Sequence, residues 1–173
     1  MVEHLEAVNH TSLLKDIFTG KIDLPVNENI IKQMHKSLMQ GIREDAGKYS
    51  MHQRAIRGVD LILPHPDDIE EEMSMFFTKA NYFKEHPIKH IAKMHADFEL
   101  IHPFGDGNGR IGRLIMIIQL IEKGYCPCMI PVSQKSEYYE YLEYAQKKSD
   151  THFIYFLSES ILNGYKIIKK QYA

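Results

Sequence analysis

Between His102 and Arg113 the chain sets one histidine, one aspartate, one asparagine, two arginines and four glycines into twelve positions: His102-Pro103-Phe104-Gly105-Asp106-Gly107-Asn108-Gly109-Arg110-Ile111-Gly112-Arg113. Glycines tolerate positive φ and let backbone N–H groups come close to a ligand. A glycine-rich loop that opens a helix offers unpaired amides and the positive end of the helix dipole, which together hold an anion. Arg110 and Arg113 are spaced to share one helix face. Two guanidinium groups beside such amides suit a polyanion such as a triphosphate. Asp106 would be repelled by that polyanion unless a cation lay between them, and Mg2+ is typically held by one or two carboxylates plus phosphate oxygens. His102, just upstream, is able to take up a proton near neutral pH. Residues of these types at this spacing fit a Mg2+-nucleotide site with its own base.

Shorter motifs hidden in the same stretch fail. Gly107-x-Gly109-x-x-Gly112 matches the dinucleotide fingerprint, which needs a strand before it and an acid about 20 residues on. The helix-like Ile91 to Ile101 precedes it, and Pro131 and Val132 stand where the acid should be. No Gly-Lys-Ser/Thr is present for an NTPase phosphate loop. An EF-hand would need an acid or amide at Arg110, glycine at Ile111 and glutamate at Ile117.

The elements that must position this loop are helical by periodicity. Residues 2 to 18 predict a helix through Val2, Leu5, Val8, Leu13, Leu14 and Ile17, closed by Gly20. Asn27 caps a second, with Ile30, Ile31, Met34, Leu38 and Ile42 as its apolar face. Asp67 or Asp68 caps a third, and Pro87 starts a fourth that carries His95 as a structural residue and delivers the chain to His102. The helix after the loop is apolar nearly all round, from Leu114 to Ile121, and so reads as central and buried. A tyrosine-rich helix over 134 to 148 and a final helix over 151 to 170 follow. Between the second and third helices, Ile56, Val59, Leu61 and Leu63 partly alternate, which predicts a short β-hairpin at Arg57 to Leu63.

Composition bounds the partners. The 173 residues fit one domain, 1–173, with a sizeable core, and a hydrophobic fraction of 44% excludes a disordered chain. A net charge of −2 gives no general attraction to nucleic acid or to anionic membranes, so neither is expected as a partner. The apolar stretch Leu114 to Ile121 is far short of the ~18 residues of a membrane span, and the N-terminus lacks the pattern of a signal peptide. Cys126 and Cys128 flank Pro127 too closely for an unstrained disulfide and have no metal-ligand pair nearby. They read as small buried residues in a reducing, cytoplasmic compartment.

The whole stretch resembles the signature of the Fic (filamentation induced by cAMP) family, His-Pro-Phe-x-Asp/Glu-Gly-Asn-Gly-Arg-x-x-Arg, with every specified position filled. The likeness extends to His95-Ala96-Asp97-Phe98-Glu99-Leu100-Ile101 before it and Gly124-Tyr125-Cys126-Pro127 after it. It also takes in Ala46-Gly47-Lys48-Tyr49, where Ser50 replaces the family's usual arginine, and the opening Leu5 to His10. The resemblance implies an all-α, Fic-type helical bundle around a buried central helix, with the hairpin as a flap. It implies a bacterial protein adenylyltransferase that moves AMP from ATP, with Mg2+, to a hydroxyl of a target protein docked at the flap near residues 57–63.

The site residues implied are His102 as base, Asp106 for Mg2+, Gly107, Asn108 and Gly109 around the α- and β-phosphates, and Arg110 and Arg113 on the phosphate tail. Tyr138 and Tyr139 are implied as adenine neighbours. Gly109 favours nucleotidyl over phosphate transfer, since relatives that transfer phosphate carry lysine there. Many relatives carry an inhibitory Ser/Thr-x-x-x-Glu-Gly/Asn helix. Here Glu28-Asn29 has Leu24 in the Ser/Thr place, and Ser158 is followed by Leu162 where the glutamate belongs. The brake is therefore absent, supplied by a partner, or lost from the N-terminus, and relatives often form homodimers. The competing readings are removal of AMP or ATP hydrolysis at the same site, and a catalytically weak nucleotide-binding regulatory module.

Overall fold

In the computed structural model, which describes residues 2–56 and 60–171, the helices fall where the apolar periodicity puts them. They are α1 (Val2–Phe18), α2 (Glu28–Leu38), α3 (Ile69–Ala80), α4 (Pro87–Ile101), α5 (Asn108–Glu122), α6 (Lys135–Lys147) and α7 (Thr151–Gln171). Asn27 caps α2 as expected, its Oδ1 accepting from the Ile30 amide at 3.1 Å. Asn27→Ala should lower stability by about 1 kcal/mol, read as a shift in the urea midpoint with an unchanged slope. Pro87 opens α4 at its first turn, where no amide is missed. At α3 the entry differs from expectation. A 3₁₀ turn over Pro66–Asp68 leads in, and Asp68 stands at the cap without a side-chain hydrogen bond.

α4 and α5 pack against each other at the centre. On one side α1, α2 and α3 close over them through Ile31, Met34, Leu38, Met73, Phe76, Phe98 and Leu114. On the other, α6 and α7 close over Ile91, Met116, Leu120, Tyr138, Phe153 and Phe156. An apolar circumference on α5 is what this double-sided burial requires, at roughly 1.5–3 kcal/mol for each large side chain taken out of water. Gln119, a polar residue buried in the middle of it, is satisfied by donating to the Ala80 carbonyl at 3.3 Å. Both cysteines are free and buried. No helix among the described residues is long and apolar enough to cross a membrane.

The expected hairpin is corrected. Among the described residues there is no β-strand. Arg57, Gly58 and Val59 lie outside the described residues, and Asp60 to Leu63 run without strand structure. The buried Arg54 instead ties the end of this segment to the start of the loop at His102. Its Nη2 donates to Pro64 at 2.9 Å and to Ile101 at 3.3 Å, and its Nε donates to His102 at 2.9 Å. Leu63 is buried and Ile62 is 95% exposed, so burial does alternate here, in extended chain that pairs with no strand among the described residues. With no strand edge to extend, docking of a target protein at a hairpin flap over residues 57–63 is corrected with it.

Candidate active site

The loop 102–107 joins the two central helices, so its ends are fixed by the core. His102 closes α4 in the left-handed region, φ 50° and ψ 55°, and is the one non-glycine residue with positive φ among the described residues. Such a conformation costs on the order of 1–3 kcal/mol and persists only where the surroundings hold it. Three bonds do so. The His102 amide donates to Phe98 at 3.0 Å, its Nδ1 donates to the Glu99 carbonyl at 3.2 Å, and its carbonyl accepts from Arg54. A carbonyl only accepts, so the proton sits on Nδ1 and the lone pair on Nε2. Burial pushes the His102 imidazole below its ordinary 6.5, helped by Arg54 and opposed by the Glu99 bond and Asp106. The ring is thus a neutral base of defined tautomer. It faces a cavity of about 390 Å³ lined also by Arg43, Lys48, Tyr49, His52 and Gly105.

Asn108 folds the loop. Its Oδ1 accepts from the Phe104 amide and its Nδ2 donates to the Phe104 carbonyl, each at 2.8 Å, in a site only 2% exposed. The Asn108 side chain is therefore spent on the loop, and its backbone amide is what it has for a ligand. Gly107 takes φ +81°, and a Cβ there would press on Met39 Sδ at 3.2 Å and touch the His35 ring. Arg110 and Ile111 amides both return to the Gly107 carbonyl. That leaves the Asn108 and Gly109 amides without an acceptor among the described residues, at the positive end of α5.

Asp106 is half-exposed. Its Oδ1 accepts from the Gly107 amide and lies 3.4 Å from Arg110 Nη2, while Oδ2 has no partner among the described residues. Among the described residues no three His, Cys, Asp or Glu gather into a metal cage. One accessible carboxylate beside unpaired amides does fit Mg2+ that arrives with a nucleotide and completes its shell from phosphate.

The two arginines part company. Arg110 pairs with Glu6 of α1 at 3.2 Å, close enough for an ion pair though not aligned as a hydrogen bond. Arg113 has no carboxylate within 4 Å among the described residues, and its guanidinium lies over the Tyr138 ring, 5.9 Å from the centroid. Tyr138 is buried, with its hydroxyl 2.7 Å from His95 Nε2. Burial and the Arg113 charge push His95 down to about 3, so it stays neutral. Tyr139, set edge-on to Tyr138 at 5.1 Å, is 46% exposed. Beneath them Glu99 is buried, its carboxyl pushed up to about 7 by desolvation against the pull of Arg113, and its Oε1 has no hydrogen-bond partner among the described residues.

Sequence reasoning gave no role to His35, Arg54 or Glu99, yet all three touch or hold this site. His35 had a signal. It occupies a core position of the amphipathic α2, between Met34 and Leu38, and a buried imidazole must find partners. Arg54 had none, because its acceptors lie in distant parts of the chain.

The Fic/DOC family pattern matches residues 25–120. The protein adenylyltransferase Fic of Drosophila melanogaster is 30% identical over 164 residues, covering 91% of this chain and 32% of that protein. The protein of the same name from Nematostella vectensis is also 30% identical, with 38% of it covered. The chain thus spans about a third of the length of these curated relatives. Both are animal proteins, so they lend no support to the expected bacterial source. Among solved structures, residues 134–508 of Fic-1 from C. elegans superpose with a TM-score of 0.83 at 22% identity, over 99% of this chain and 53% of that one. A Fic domain containing signaling protein from Bacteroides thetaiotaomicron gives 0.79 at 22%, over 92% and 69%. BepC of Bartonella tribocorum, with bound AMPPNP, gives 0.69 at 16%, over 91% and 86%. The pattern runs through α2 to α5, across the helices that frame the loop, and the likeness of fold covers nearly the whole chain; the chain belongs to the Fic/DOC family.

Proposed function

We propose that the chain is a protein adenylyltransferase that transfers AMP from Mg·ATP to a hydroxyl side chain of a target protein. The observation that carries this is His102, a neutral imidazole with Nδ1 tied to Glu99 and Nε2 open, set beside the two unpaired amides that begin α5. Nε2 takes the proton of the acceptor hydroxyl as its oxygen bonds to the α-phosphorus, and the bond to the bridging oxygen breaks to release pyrophosphate. The amides of Asn108 and Gly109 and the glycine backbone at Gly107 hold phosphate oxygens, Arg113 takes the terminal phosphate, and Arg110 supports the tail. Asp106 would hold Mg2+, whose chemistry is to neutralise phosphate charge. Tyr139, with Tyr138 behind it, flanks the nucleoside. Such transfer depends on positioning and charge stabilisation more than on covalent help from the protein. The names of the curated relatives support the same reading.

Parallel incubations with α-labelled and γ-labelled ATP, Mg2+ and a cell lysate test it. Above the bands of lysate alone, whose own kinases use the γ position, the chain should add protein label from the α position and none from the γ position. The reverse pattern would make the chain a phosphotransferase and overturn the proposal.

A further inference from the structure

We propose that His35 is a positioning residue for Asp106. The ring sits on α2, outside the signature, and is 1% exposed. Its Nδ1 accepts from the Gly47 amide at 2.8 Å. With the lone pair so used, the ring proton is on Nε2, which donates to the Asp106 carbonyl at 3.0 Å. One face of the ring lies flat on Phe104, centroids 3.8 Å apart and planes 7° apart. A Cβ built on Gly107 would stand 3.5 Å from the same ring, so the backbone there passes directly over it.

One side chain therefore touches Phe104, Asp106 and Gly107 of the loop and ties them to Gly47, in the segment that walls the cavity beside His102. Asp106 itself is half-exposed, and its carboxylate is held on the protein side by the Gly107 amide and Arg110. Fixing the Asp106 backbone fixes where that carboxylate can lie. This rests on the reading of Asp106 as the Mg2+ carboxylate. Groups that orient a metal ligand from behind typically matter by about 10–100-fold in metal affinity.

The two bonds of the ring can be removed one at a time. Asparagine places its oxygen where His35 has Nδ1, and glutamine places its nitrogen where His35 has Nε2. His35→Asn thus retains the Gly47 contact and loses Asp106, whereas His35→Gln retains Asp106 and loses Gly47. Binding of a non-transferable ATP analogue, measured by titration calorimetry at stepped Mg2+ and in chelator, reads the effect without turnover. His35→Asn should weaken Mg2+-dependent binding by about tenfold and leave binding in chelator unchanged. His35→Gln should retain the Mg2+ dependence of the wild type.

Equal losses in both variants, or losses that are the same with and without Mg2+, would reduce His35 to a packing residue and overturn the proposal alone. Wild-type protein that binds the analogue equally with and without Mg2+ would overturn the metal reading of Asp106, and this proposal with it. Thermal melts accompany each titration. If His35→Asn melts below the assay temperature, folded His35→Gln decides: loss of its Mg2+ dependence overturns the proposal, and retention supports it.

Discussion

His102→Ala protein should bind Mg·ATP as the wild type does and transfer AMP more slowly by roughly 10²–10⁴-fold, the range that a positioned general base supplies. Binding is spared because the groups assigned to the phosphates, the amides of Asn108 and Gly109 with Arg113, do not include the imidazole. Removing the ring leaves the left-handed backbone at residue 102 held by Phe98 and Arg54. The wild-type rate carries a second signature. A base must be unprotonated to act, and burial holds His102 below 6.5. A lowered value keeps the base available in more acid solution, so the acid limb of kcat/KM against pH, which reports the free enzyme, should fall below that of an ordinary imidazole. Transfer by His102→Ala at the wild-type rate would remove His102 from the mechanism. An acid limb at or above 6.5 would contradict the environment drawn for it.

How much of this was legible depends on how far each contact reaches along the chain. The helices follow from 3.6-residue periodicity, and α5 was recognisable as central because no face of it is polar. The loop was legible because its chemistry is contiguous: base, carboxylate, amides and arginines lie within twelve residues. What was not legible is what the loop leans on. The alternation from Ile56 to Leu63 resembles a strand, and nothing local says that Arg54 will use the carbonyls of Pro64, Ile101 and His102. Asn108 carries amide chemistry suited to a phosphate, yet its side chain closes on Phe104, four residues back. Only the fold distinguishes these uses. The same holds for Arg110 and Arg113, alike in sequence, where α1 brings Glu6 to the first and α6 brings Tyr138 to the second.

Gly112→Ala should destabilise the protein and weaken ATP binding, although alanine is the better helix former. Within a helix the exchange favours alanine by about 0.5–1 kcal/mol. Against this, a Cβ at Gly112 would run into Oε1 of Glu99 and stand 3.1 Å from Phe98 and 3.2 Å from His95. The end of a glutamate can normally swing away, but Glu99 is buried, and Phe98 is fully buried behind it. Overpacking of this kind costs about 1–3 kcal/mol, so it exceeds the propensity gain and the melting temperature falls. A shift of the Glu99 carboxylate also changes the field at Arg113. Both groups stand beside Gly109, with Arg113 Nη1 3.3 Å and the Glu99 oxygens 3.8 and 3.9 Å from a Cβ built there.

A double-mutant cycle separates the terms. In a Glu99→Ala background the nearest obstacle is gone while the Phe98 and His95 contacts remain, so Gly112→Ala should cost clearly less than in the wild type. Glu99→Ala should leave its own trace as well. A carboxyl raised from 4.5 to about 7 binds its proton more tightly in the folded state. Its contribution is therefore complete below 4.5 and is lost as the pH rises through about 7. Removing Glu99 should flatten the decline in stability across that window. If Gly112→Ala lowers the melting temperature equally in both backgrounds, the close approach of α5 to Glu99 is not what the glycine is there to allow.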